Sequence, residues 1–152
     1  MNKIVIIGTG YVGLVTGVGM AEFGNKVICA DIDEIKIDNL NSGILPIFEP
    51  GLEEVIKRNI KNKRLSFSSN VKESILKSDV IVIAVGTPEG EDGQANMSFV
   101  YSVAEIISNN LNGYKLVVTK STVPIGSGKR IIDIINDKVN DRNSFDYVSN
   151  PE

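Results

Sequence analysis

Apolar residues fall along this chain in two alternating rhythms. Compact runs at Lys3–Ile7, Lys26–Asp31, Arg64–Ser68, Asp79–Val85, Lys115–Lys120 and Asp146–Ser149, most of them rich in Val and Ile, are too short for helices and predict strands. Between them, Tyr11–Phe23, Asp33–Leu40, Gly51–Lys61, Val71–Lys77, Ser98–Leu111 and Gly126–Val139 carry apolar residues at helical spacing. Six strands joined by helices predict an α/β fold, a doubly wound and mostly parallel sheet with helices on both faces. No internal repeat or low-complexity linker interrupts the pattern, and 152 residues fit one core of ordinary size, so residues 1–152 are expected to form a single domain.

The first strand runs straight into Gly8-Thr-Gly-Tyr-Val-Gly13, and Asp31 closes the second strand eighteen residues after the last of these glycines. A dinucleotide-binding βαβ unit of the Rossmann type needs these parts in this order. Gly8 permits the tight turn, Gly10 lets the backbone approach a pyrophosphate, and Gly13 lets the first helix pack closely. The N–H groups at the start of that helix, with the positive end of its dipole, receive the phosphate charge. Asp31 accepts hydrogen bonds from the adenosine ribose and repels a 2′-phosphate; no arginine follows it closely, which favours NAD over NADP. The bare glycine spacing also arises by chance, and its position between strand and helix is what gives it weight. Gly17 and Gly19 lie further along the same predicted helix, where either close packing on the sheet or local flexibility explains them.

Composition adds mainly exclusions. Net charge is −3 with acids and bases interspersed, so nothing points to nucleic acid. The longest strong apolar run, Val80 to Val85, is far too short to span a bilayer, and no signal peptide is expected because Ile4–Ile7 reads as a strand leading to glycine. The single cysteine, Cys29, excludes an intrachain disulfide, fits a cytoplasmic location, and inside a strand reads as a small buried hydrophobe.

Ligands in such sheets bind outside the carboxyl ends of the strands, so the loops there carry the candidate chemistry. Lys36, after strand two, either assists at the ribose or phosphate or is simply solvated. Thr87 and Pro88 follow strand four in a long Gly- and Pro-marked loop. Its acids Glu89, Glu91 and Asp92 lack the alternating spacing of a calcium loop, and no metal site is expected. Ser121 and Thr122 follow strand five and either cap backbone groups or reach the nicotinamide or a substrate water. Glu152, after strand six, is placed for acid–base work or is a frayed, solvated acid. With no histidine in the chain, a Ser-His-Asp triad is impossible.

Taken together, Gly8-Thr-Gly-Tyr-Val-Gly-Leu14, Asp31 with Lys36, Asn41-Ser-Gly43, Pro46-Ile-Phe-Glu-Pro-Gly-Leu52, Gly86-Thr-Pro88, Lys120-Ser-Thr-Val-Pro-Ile-Gly126 and Ser149-Asn-Pro-Glu152 resemble the UDP-glucose 6-dehydrogenase branch of the nucleotide-sugar dehydrogenases. The resemblance covers the whole chain. It implies NAD as cofactor, with Gly8, Gly10, Tyr11, Val12 and Gly13 at the glycine turn, Asp31 and Lys36 on the adenosine side, and Thr87 and Thr122 near the nicotinamide. It further implies that Thr122 and Glu152 orient or activate the water that releases the acid product. Family members are longer homo-oligomers. They add a central helical region and a second α/β domain that binds the UDP-sugar and supplies the cysteine nucleophile for two successive oxidations of UDP-glucose, and the catalytic lysine and asparagine also lie beyond the residues of this chain. This chain alone is therefore expected to be inactive, and Cys29 is misplaced to act as that nucleophile. Asn96 departs from the aspartate usual in the family.

Two other readings carry the same glycine turn. A regulatory nucleotide-sensing domain of the channel or transporter type has no reason to carry Glu49-Pro-Gly-Leu52 or Asn150-Pro-Glu152. A hydroxyacid or phosphogluconate dehydrogenase uses a lysine or histidine near a later helical domain. Enzymes acting on GDP-mannose or UDP-N-acetylated sugars share the first domain, so the sugar itself is not fixed by these residues.

Overall fold

The computed structural model describes residues 1–91, 93–139 and 144–151. The elements are β1 (Lys3–Ile7), α1 (Tyr11–Glu22), β2 (Lys26–Ala30), α2 (Glu34–Asn41), α3 (Leu52–Lys61), β3 (Leu65–Ser68), α4 (Val71–Leu76), β4 (Val80–Ile83), α5 (Ser98–Asn110), β5 (Lys115–Thr119), α6 (Ser127–Asn136) and β6 (Phe145–Ser149). Each matches a stretch expected from sequence, with ends shifted by up to three residues, mostly inward, while α2 and β6 each gain one residue. The sheet has the order β3-β2-β1-β4-β5-β6, and every pairing is parallel rather than most of them.

Side-chain alternation in the central strand decides the layering. Ile4 and Ile6 of β1 join a core with residues of α1, α2 and α3 on one face. Val5 and Ile7 point the other way, into a core with α4, α5 and α6. Both faces are thus covered, which is why β1 reads as a continuous apolar run. Full burial of each such Val or Ile contributes roughly 1.5–3 kcal/mol.

The two glycines inside α1 differ. A Cβ at Gly17 would lie 2.3 Å from the Cys29 Sγ and 3.2 Å from Ile6, so close packing on the sheet accounts for it. Nothing lies within 4 Å of a Cβ at Gly19, and packing does not account for that one. Cys29 is fully buried, and burial pushes its thiol up to about 12, consistent with an inert apolar filler.

Two buried hydroxyls of the sheet, those of Thr119 and Tyr147, have no hydrogen-bond partner among the described residues. Thr119, at the end of β5, is the fully buried one. Replacing an unsatisfied buried hydroxyl by a methyl of the same shape removes a desolvation penalty. Thr119→Val is therefore expected to stabilise the chain by about 1 kcal/mol, read as a melting temperature higher by roughly 2–4 °C. A lower melting temperature would show that the hydroxyl is satisfied in solution.

Candidate functional site

Strands β1 and β4 are neighbours, and the chain leaves them toward opposite faces of the sheet. This is the switch point at which open α/β sheets form a crevice. A cleft of about 590 Å³ opens there. Gly8, Gly10, Asp31, Ile32 and Lys36 line one side, and Phe99, Ser102, Val103 and Ile106 of α5 line the other.

The glycine turn is shaped by its own backbone. Gly8 has φ +106°, and its N–H donates to the Ala30 carbonyl at 2.8 Å, tying the turn to the end of β2. A Cβ on Gly8 would also sit 2.5 Å from the Ala84 carbonyl oxygen. At Gly13 the nearest atom to a Cβ is not in the sheet but in the turn itself, the Gly8 carbonyl oxygen at 1.9 Å, followed by Ala84. The helix and the turn therefore close on each other. Around Gly10 there is open space within 4 Å. Helix α1 (N-cap Gly10) has no side-chain cap and no acid in its first turn, as is also true of α5 and α6; what sets it apart is that it opens at the glycine turn beside the cleft, whereas Asp33 and Asn70 cap α2 and α4. An uncapped helix start beside a bare glycine suits the pyrophosphate of a dinucleotide.

Asp31 follows β2 and is held tightly. Its Oδ2 accepts hydrogen bonds from both the backbone N–H and the hydroxyl of Thr9, each at 2.8 Å, and its Oδ1 accepts from the Asp33 N–H at 3.1 Å. Burial pushes its pKa up. The bonds from Thr9 N–H, Asp33 N–H and the Thr9 hydroxyl, with the charge of Lys36, more than reverse this and hold it below the usual carboxylate range. The Lys36 ammonium is half-exposed, 4.0 Å from Asp31 and 3.8 Å from Asp33, so it stands at the rim of the cleft rather than solvated elsewhere.

The loops after β4 and β5 meet. The Thr87 hydroxyl donates to the Thr122 carbonyl at 2.9 Å. Ser121 is buried and donates to the Val85 carbonyl at 2.7 Å, so its hydroxyl serves the backbone, the structural alternative raised for it. Tyr11 is half-exposed, and its hydroxyl donates to Glu49 at 2.9 Å, bringing the Glu49-Pro-Gly-Leu52 segment to the glycine turn. Val12 is partly buried beside it. Asn96 Oδ1 accepts from the Ser98 N–H at 3.0 Å at the start of α5, a bond that an aspartate would make equally. The loop carrying Glu89 and Glu91 folds back through an isolated bridge between Glu89 and Ala95. Among the described residues no three His, Cys, Asp or Glu side chains converge. Asp92 and Glu152 lie outside the described residues. The Asn150 N–H donates to the Thr119 carbonyl at 2.9 Å, which sets Asn150 beside the end of β5.

Sequence reasoning missed Thr9 and the α5 wall. The spacing Phe99, Ser102, Val103, Ile106 was a visible helical stripe, but a stripe facing a cleft looks like one facing a core.

A parallel sheet in this order, with a glycine turn, an uncapped helix start and a buried acid around one crevice, defines a dinucleotide-binding domain of the Rossmann type. Residues 2–152 match the family model for the NAD binding domain of the UDP-glucose/GDP-mannose dehydrogenase family. The chain belongs to that family, and its cofactor is NAD. It is 51% identical to the UDP-glucose 6-dehydrogenase TuaD of Bacillus subtilis over 152 residues, covering 100% of this chain and 33% of that protein. Among solved structures, a UDP-glucose dehydrogenase from Pyrobaculum islandicum matches with TM-score 0.94 and 35% identity over 100% of this chain and 36% of that one. A GDP-mannose dehydrogenase from Pseudomonas aeruginosa matches with TM-score 0.92 and 34% identity over 99% of this chain and 36% of that one. The chain thus spans about a third of the length of the relatives it matches. No helix among the described residues is long and apolar enough to cross a membrane.

Proposed function

We propose that this chain is the NAD-binding domain of a longer cytoplasmic, homo-oligomeric enzyme that oxidises UDP-glucose to UDP-glucuronate in two successive NAD-dependent steps. Outside this chain, a second domain joined by a central helical region holds the UDP-sugar and supplies the cysteine, and the catalytic lysine and asparagine also lie there beyond these residues. By itself the chain does not turn over UDP-glucose. The observation that carries the cofactor half is the fixed, ionised Asp31 in the same cleft as the uncapped start of α1.

In this reading Gly8, Gly10, Tyr11, Val12 and Gly13 receive the pyrophosphate, and Asp31 and Lys36 hold the adenosine ribose. Thr87 and Thr122 stand at the nicotinamide end, where their mutual hydrogen bond keeps two loops in one arrangement. When bound, NAD accepts hydride from the sugar C6. The protein's part is to fix that ring against the carbon, which converts a bimolecular encounter into a positioned one. Thr122 and Glu152 orient or activate the water that hydrolyses the enzyme-bound acyl group in the last step, with the Glu152 carboxylate the group able to take its proton. The similarity to a GDP-mannose dehydrogenase keeps a second sugar nucleotide in view, and the sugar contacts lie mainly in the second domain.

Calorimetry with NAD and NADP tests the cofactor assignment. Wild type is expected to bind NAD and to discriminate against NADP, and Asp31→Ala to weaken NAD by about 1–3 kcal/mol while losing the discrimination. Equal affinities for the two cofactors in wild type would sink it.

A further inference from the structure

We propose that Thr9 sets cofactor choice at this site by fixing the Asp31 carboxylate so that a single oxygen, Oδ1, is left to receive the ribose of NAD. The inference rests on the NAD reading above and deepens it. Thr9 touches Asp31 and is a positioning residue.

An ionised carboxylate offers about four acceptor sites on two oxygens. Thr9 alone fills both sites of Oδ2, one from its N–H and one from its hydroxyl, each at 2.8 Å. Asp33 takes one site of Oδ1 at 3.1 Å, so one acceptor site remains. Two donors from one residue fix the carboxylate in both position and tilt. Thr9 is only 1% exposed, so water cannot replace its hydroxyl. The bond from the Gly8 N–H to the Ala30 carbonyl sets Thr9 against the end of β2, which makes this chelation a property of the turn. The Asp31 side chain is itself only 12% exposed, so it has little freedom to turn toward solvent. A carboxylate free to swing accommodates a 2′-phosphate at modest cost, whereas one held in place presents its charge where that phosphate would sit. Preorganisation of this kind strengthens the matching ligand without adding a contact to it.

The test compares wild type with Thr9→Val, which keeps the shape and the backbone N–H but loses the hydroxyl, and with Thr9→Ser, which keeps the hydroxyl. Titration calorimetry with NAD and NADP is expected to give the valine variant an NAD Kd about tenfold higher, the scale of one lost bond to a charged group. Its NADP affinity stays level or rises, because the freed carboxylate can turn away from the 2′-phosphate, so the preference shrinks by at least the same factor. Thr9→Ser retains the preference. Carbon-13 NMR of the Asp31 carboxyl adds a readout local to that group: its titration shifts to higher pH in Thr9→Val and stays put in Thr9→Ser. A wild-type preference in Thr9→Val overturns the assignment to Thr9 alone, as does equal weakening of both cofactors. Absence of any preference in wild type instead overturns the role of Asp31, and this inference with it.

Discussion

Gly13→Ala is expected to destabilise the chain by about 3 kcal/mol, at the upper end for overpacking, which at this size lowers the melting temperature by roughly 6–12 °C. The added Cβ would lie 1.9 Å from the Gly8 carbonyl oxygen and 3.3 Å from the Ala84 side chain. The first of these is backbone, and it cannot retreat by rotating a side chain. Moving it disturbs the Gly8-to-Ala30 hydrogen bond and the turn that receives the pyrophosphate. NAD affinity should therefore fall along with stability. Gly19→Ala provides the contrast within the same helix, because nothing lies near its added Cβ. There the gain in helix propensity is expected to stabilise by about 0.5–1 kcal/mol. Thermal melts and NAD titrations of both variants check the pair. A Gly13→Ala protein with wild-type melting and affinity would refute the close approach.

In the longer enzyme proposed to carry this domain, Thr122→Ala and Glu152→Gln are each expected to reduce turnover by a factor on the order of 10² or more, the usual range for a lost acid–base group. Neither residue is needed for the adenosine half of NAD, so affinity for the cofactor should change little. Thr122 follows β5, and the Asn150 N–H donates to the Thr119 carbonyl at the end of that strand. If hydrolysis is the damaged step, a covalent enzyme–sugar adduct accumulates and intact-protein mass spectrometry detects it. Near-normal turnover in both variants would remove the pair from the mechanism. Slow turnover without an adduct would move them to an earlier step.

The order and type of the elements were legible because strand and helix periods alternate cleanly along the chain. Strand ends were less so. Ala84 and Val85 are apolar and extend the β4 run on paper, yet β4 stops at Ile83 and those two residues line the cleft. The apolar spacing near Val139 similarly overran α6, which ends at Asn136. The glycine turn and Asp31 could be read because their chemistry is local to one βαβ unit. The bonds from Thr9 to Asp31, from Thr87 to Thr122 and from Tyr11 to Glu49 span 22, 35 and 38 residues. Nothing in the spacing of the sequence announces which distant loops the sheet order brings together.

Cys29 gives the protein a built-in stopwatch. Its sulfur is sealed behind Gly17, and only the thiolate reacts with alkylating or disulfide reagents. Labelling must wait until α1 lifts from β2, so the rate of modification measures how often that helix detaches rather than how reactive the thiol is. The same helix begins at the glycine turn, so NAD should slow the clock by a factor that grows as one plus the ratio of its concentration to its Kd. The chain's one cysteine thereby turns cofactor binding into a chemical half-life, with no added label.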